Sequence, residues 1–246
     1  MANWSDPRTS AAAYAPGAAR ADYDAGLRSY MLSVYNYMMS GVLLTGIVAL
    51  LFAQTGWVQA MFNPNGGASA LGWIITLSPL AVVFAMSFGQ SRMSTGTLQT
   101  LFWVYAGLMG LSLSTVFLVY TSTSIAQVFF ATAAGFGALS LYGYTTKRDL
   151  SGLGTFLIMG LVGLIVASIA NIFIGSGTMS LVISVIGVLI FAGLTAYDTQ
   201  KIKSIYAHVA GTDMVGKVVI MGALNLYLDF INMFLFLLRL FGSSRN

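Results

Sequence analysis

Residues 223–241 read ALNLYLDFINMFLFLLRLF. The run is long and apolar enough to cross a bilayer, which takes about 20 such residues, yet Asp229 sits in its middle. A carboxylate at that depth costs roughly 2.5–3.5 kcal/mol on insertion scales. On a helix, positions i, i+4 and i+7 share a face, and Asn225, Asp229 and Asn232 fall at that spacing. The segment is therefore predicted to be a helix with one polar stripe, and the stripe must face protein rather than lipid. Two uses of the asparagines stay open: bonding neighbouring helices to hold a bundle, or lining a functional path beside Asp229. The acid itself marks a functional site.

The rest of the chain belongs to the same solvent. Of 246 residues, 57% are apolar and 7% charged, against about 25% charged in an ordinary soluble domain. The seven acids are all aspartate; surface helices in water lean on glutamate, so little helix surface meets water. Eleven cations spread over this length make no patch for nucleic acid. With no cysteine, disulfides, thiolate metal sites and cysteine nucleophiles are excluded. Seven stretches reach span length, at roughly 31–53, 71–90, 98–120, 125–146, 153–175, 179–199 and 218–241. The expected architecture is an all-α membrane protein with seven transmembrane helices in one domain, residues 30–246. Residues 1–29, with Pro7 and Pro16, are expected to form a mobile cytoplasmic tail. Tyr30, Tyr35 and Tyr37 suit a headgroup belt. Ala133-xxx-Gly137 and Ala192-xxx-Ala196 read as close helix packing.

Loop charge orients the spans. The linkers 54–70, 121–124 and 176–178 hold no lysine or arginine, whereas the alternate ones hold Arg92, then Lys147 and Arg148, then Lys201, Lys203 and Lys217. Arg20 and Arg28 flank the first span on that same side. The asymmetry places the amino terminus in the cytoplasm and the carboxyl terminus, with Arg239 and Arg245, outside. A re-entrant hairpin at 218–241 is the alternative, but the segment has no proline and its one glycine, Gly222, lies near its start.

A second acid, Asp198, lies in FAGLTAYDTQKIKSIY, residues 191–206, near the cytoplasmic end of the sixth span. It reads either as an interfacial acid paired with Lys201 or Lys203 or as a partner for Asp229. Arg92 serves as a topology marker, or as a cation that latches the sixth-span acid. His208, the single histidine, is expected in a solvated loop over 200–216.

AYDTQKIK (196–203) followed by ALNLYLDFINMFLFLLRLFG (223–242) resembles the two closing motifs of the Bax inhibitor-1 family, bacterial type. FGALSLYGYTTKRDLSGLGTFL (136–157) is similar to that family's fourth linker, and NIF (171–173) to the end of its fifth span. The resemblance covers about residues 27–242. It implies a central last helix wrapped by two layers of three, in a bacterial inner (cytoplasmic) membrane. It implies a pH-sensitive calcium leak gated by Asp198 and Asp229, which also serve as transient calcium ligands, with Arg92 as the latch. Calcium ions, protons and the lipid bilayer are then the partners, and no resident cofactor is expected. The alternative it allows is a regulator that binds a membrane protease or a stress-response partner.

Two carboxylates within hydrogen-bond reach in low dielectric cannot both ionise cheaply, so such a pair titrates as a unit. It also offers the oxygen ligands calcium prefers, and weak binding suits a leak. Helix length alone sets the two acids apart. At 1.5 Å per residue, Asp198 lies ~5 Å from Lys201 and Asp229 ~18 Å from Lys217. The Tyr-Asp pair at 197–198 also resembles intramembrane aspartyl proteases. That family wants Gly-x-Gly-Asp at its second acid, where this chain has LYLD, and no Pro-Ala-Leu follows. No enzyme is expected.

Overall fold

In lipid a backbone must satisfy its own hydrogen bonds, and each long apolar run of this chain does so as a helix. The computed structural model describes residues 16–245, with side chains from residue 21. The helices are α1 (Pro16–Gln54), α2 (Ala70–Gly89), α3 (Thr95–Leu113), a short α4 (Val116–Val119), α5 (Ser122–Thr145), α6 (Ser151–Ile174), α7 (Gly177–Val209) and α8 (Val215–Phe241). With α4 continuing α3, seven segments among the described residues are long and apolar enough to cross a membrane. Hydroxyl caps start several of them: Ser69, Ser94, Thr121 and Ser176 each accept a backbone N–H from three residues on. Gly175, at φ 67°, ends α6 in the left-handed conformation that glycine adopts without strain.

α8 is the core of the molecule. One layer is α1, α2 and α3–α4, in which α3 packs on both α1 and α2; the other is α5, α6 and α7, in which α7 packs on both α5 and α6. α8 lies between them against α1, α3, α5 and α7. Its buried residues come from all round the helix, among them Ile220, Leu224, Tyr227, Phe230 and Leu238. The outer helices instead turn Leu43, Phe88, Phe130, Phe156 and Leu189 outward, which in this protein is the face that meets lipid.

Several expectations change. α1 begins at Pro16, a favoured first helical position, so residues 16–29 are helical rather than tail; residues 1–15 lie outside the described residues. The extension is packed, not free. Tyr23 and Tyr30 lie against the Tyr206 ring at 5.3 and 5.1 Å between centroids, and a Cβ at Gly26 would strike the Tyr206 hydroxyl. The tyrosines proposed for a headgroup belt point inward: Tyr30 donates to the Ile202 carbonyl at 3.3 Å, Tyr35 bonds Thr199 at 3.4 Å, and Tyr37 packs on Phe102 and Trp103.

The expected loop over 200–216 is likewise mostly helix. α7 runs on to Val209, because Ile202 and Tyr206 still have α1 and α8 to pack on after the apolar run has ended. His208 therefore sits in the last turn of α7, its ring nitrogen 3.3 Å from the Ser204 carbonyl, and only residues 210–214 link the last two spans.

The hairpin alternative does not occur. α8 is one unbroken helix of 27 residues, which at 1.5 Å each is ~40 Å long. Its far end is tied to the α4–α5 link by Thr121 N–H to Ser243 O at 3.0 Å and Arg245 N–H to Val119 O at 2.8 Å. The start of α1 packs at the other end of the bundle, on the end of α7.

Candidate functional site

The polar stripe of α8 faces one cavity of about 720 Å³. Asn225, Asp229 and Asn232 all line it, as their spacing predicts, and Tyr197, Asp198 and Lys201 of α7 line it beside them. Apolar walls come from α2 (Leu80, Val83) and α6 (Leu161, Leu164). α2 and α6 belong to different layers and hardly pack on each other, so the cavity is a cleft between the layers.

Asp198 and Asp229 thus lie within electrostatic reach of each other. The axial mismatch disappears with the longer α7: Asp198 stands ~16 Å before the end of that helix and Asp229 ~21 Å after the start of α8. Antiparallel helices joined by a short link bring such positions to nearly one level. Asp229 is 4% exposed, and its Oδ2 finds no hydrogen-bond partner among the described residues. A buried carboxyl oxygen without a partner is costly, so the site has unused capacity for a proton or a cation.

The neighbours of the pair are specific. Lys201 is the cation whose charge reaches Asp198, and its ammonium lies 5.8 Å from the centroid of the Tyr197 ring. That ring packs where a Cβ at Gly154 would stand, which fixes Tyr197 against α6. Asn232 donates to the Leu228 carbonyl of its own helix at 2.8 Å, so it does not tie α8 to a neighbour through that bond. Arg92 is exposed in the turn after α2 and is not among the lining residues. The structure brings together Asp198, Asp229, Asn225 and Asn232, and leaves Arg92 apart.

The cleft adjoins a polar cavity of about 320 Å³ that shares Tyr197 and Lys201 and adds Lys147, Arg148 and Asp149. Gln200 clamps this linker by donating to Arg148 O at 2.8 Å and accepting from Leu150 N–H at 2.9 Å. Asp149 accepts from the Ser151 N–H at 2.9 Å, and the bonds from Ser151 hold its carboxyl below the usual range. The clamp was not legible in sequence, since a glutamine after an aspartate-threonine pair carries no signal of its partner fifty residues away. Among the described residues no cluster of three or more histidine or acidic side chains is placed to hold a metal.

These features define a class: a multi-pass helical membrane protein built round a buried, acid-bearing last helix. The chain belongs to the Bax inhibitor-1 family, whose description, "Inhibitor of apoptosis-promoting Bax1", matches over residues 27–246. An uncharacterized protein of Rickettsia prowazekii is 50% identical over 225 residues, which is 91% of this chain and 93% of the relative. The inner membrane protein YbhL of Escherichia coli is 47% identical over 223 residues, 90% of this chain and 94% of its own. A protein of Caulobacter vibrioides is 44% identical over 229 residues, 90% and 91% respectively.

Proposed function

We propose that this chain is a proton-sensitive calcium leak of a bacterial inner membrane, with Asp198 and Asp229 as its gate and its transient ion site. The observation that carries the reading is the buried Asp229, with one carboxyl oxygen unpartnered, in the cleft that Asp198 also lines. A carboxylate pair in low dielectric changes charge as a unit when it takes up a proton. Ionised, it offers a divalent cation hard oxygen ligands; protonated, it offers little. Lys147, Arg148 and Lys201 at the mouth oppose entry of a cation, which suits a slow leak. The family resemblance and the inner-membrane name of YbhL support the setting. Loop charge supports a cytoplasmic amino terminus, which puts the cationic mouth in the cytoplasm. The reading involves no catalysis and no resident cofactor.

The test is calcium flux into liposomes that hold this protein alone, followed from acidic to alkaline pH for wild type, Asp198→Asn, Asp229→Asn and the double variant. The wild type should show a flux transition with pH. Each single variant should shift or lose it, and the double should be no worse than the more damaged single, because groups in contact are not additive. Additive losses would mean separate sites. A wild type without flux would overturn the leak and leave the family's other implied role, regulation of a membrane protease or stress-response partner.

A further inference from the structure

Phe230, the next residue on α8 after Asp229, faces a second cavity of about 530 Å³ that the proposed leak does not use. Its walls are α1 and α5. Each packs on α7 and α8 but hardly on the other, so the gap between them opens sideways toward lipid. Met31, Met38, Met39, Phe136 and Gly137 make the lining apolar, and methionines adapt to flexible apolar ligands. Gly137 and Ala133, read from sequence as a helix-packing pair, border this open groove instead, and a Cβ at Gly137 would meet nothing within 4 Å.

The groove runs from Arg28 to Met39 along α1 and from Tyr144 to Ala133 along α5. Both stretches rise ~16 Å, about half of a ~30 Å hydrocarbon core. It therefore spans one leaflet. Arg28 lies ~39 Å along α1 from Gln54, which matches the ~40–45 Å between the two headgroup zones. A second cation stands at that end. Lys203 is half-buried, donates to the Tyr144 carbonyl at 2.7 Å and lies 4.8 Å from the Tyr144 ring centroid. The bond from Tyr30 to the Ile202 carbonyl holds its turn of α7 beside Arg28's turn of α1. The acids of this part of α1, Asp22 and Asp24, lie a turn or more further out.

We propose that the groove binds an acyl chain of an anionic phospholipid from this leaflet, with the phosphate on Arg28 and Lys203. A chain-length apolar slot, open to the bilayer, with Arg28 lining its end and Lys203 just outside the lining on the carbonyl of Tyr144, matches that one ligand in shape and charge.

The experiment is native mass spectrometry of the full chain released from nanodiscs that contain equal phosphatidylglycerol and phosphatidylcholine. The wild type should retain one phosphatidylglycerol in preference to phosphatidylcholine. Arg28→Gln with Lys203→Gln should lower that preference roughly thirtyfold, the scale set by two cations near an anionic headgroup. Gly137→Leu places a side chain in open groove space and should abolish retention of either lipid while thermal unfolding stays that of the wild type. Equal retention of both lipids by the wild type overturns the proposal, as does a wild-type preference in the double variant. Undiminished retention in a folded Gly137→Leu protein would assign the lipid to the outer surface and also overturn it.

Discussion

Asp229 and Tyr105 are the buried polar side chains with an atom that finds no partner among the described residues, and they separate functional from structural cost. Asp229→Asn removes a buried carboxyl whose ionised form is costly to desolvate. The variant should unfold at the wild-type temperature or higher in the same detergent, while its calcium flux loses the wild-type pH transition. Tyr105 and its neighbour Tyr227 make a structural contrast. Tyr227 bonds Thr45 at 2.6 Å, and Thr45 in turn donates to the Ala106 carbonyl at 2.8 Å. Tyr227→Phe should cost about 0.5–1.5 kcal/mol, the worth of a net hydrogen bond. Tyr105→Phe deletes a hydroxyl that finds no partner among the described residues and should be neutral or stabilising. Chemical unfolding of both variants checks the sign. At the cleft, Lys201 rather than Arg92 is the cation beside Asp198. Lys201→Gln should therefore change the flux–pH curve, and Arg92→Gln should superpose on wild type. The reverse result would show that α2 swings in to make Arg92 a latch.

Among the elements, α7 does most to place the site. Its extension past the apolar run sets the level at which Asp198 meets α8. Its small face sets the distance: a Cβ at Gly143 of α5 would run into the backbone of Ala196, and one at Gly193 into Leu157. Here the packing expected of Ala192-xxx-Ala196 does occur, two positions before Asp198. The linker from α5 to α6 depends on α7 as well. Gln200→Ala should free the Leu150 N–H, raising its hydrogen-exchange rate by roughly fivefold for a bond worth ~1 kcal/mol, with little change elsewhere. The Asp149–Ser151 contact nearby rests on a lowered carboxyl value. Its contribution is complete at neutral pH and is lost only as pH falls through that lowered value.

For the molecule as a whole, an unbroken α8 makes the number of crossings odd. A reporter fused after Asn246 should be active only outside the cytoplasm, and one placed in the 146–150 linker only inside. Agreement of both fixes the cationic mouth in the cytoplasm; a cytoplasmic signal after Asn246 would invert or break the arrangement. The two-layer sandwich leaves the clefts α2/α6 and α1/α5 where the layers meet. One is lined by acids and amides, the other by methionine and aromatic side chains. Adjacent residues of one helix, Asp229 and Phe230, thus look into opposite chemistries.

The sequence alone determined the membrane class, the seven helices and the inward stripe of Asn225, Asp229 and Asn232. Those follow from local rules: apolar length, the solvation of a backbone in lipid, and the 3.6-residue repeat. Motifs on the last two spans, not length, paired Asp198 with Asp229, because apolar length gave α7 an end ten residues too early. Only the tertiary structure decided where α1 begins and where α7 stops, since both continue on aromatic contacts between segments far apart in the chain. It also decided that Gly137 borders open space while Ala196 is packed, although both sit in small-xxx-small patterns. Spacing along one helix says which residues share a face; which neighbour that face meets is set by the other six spans.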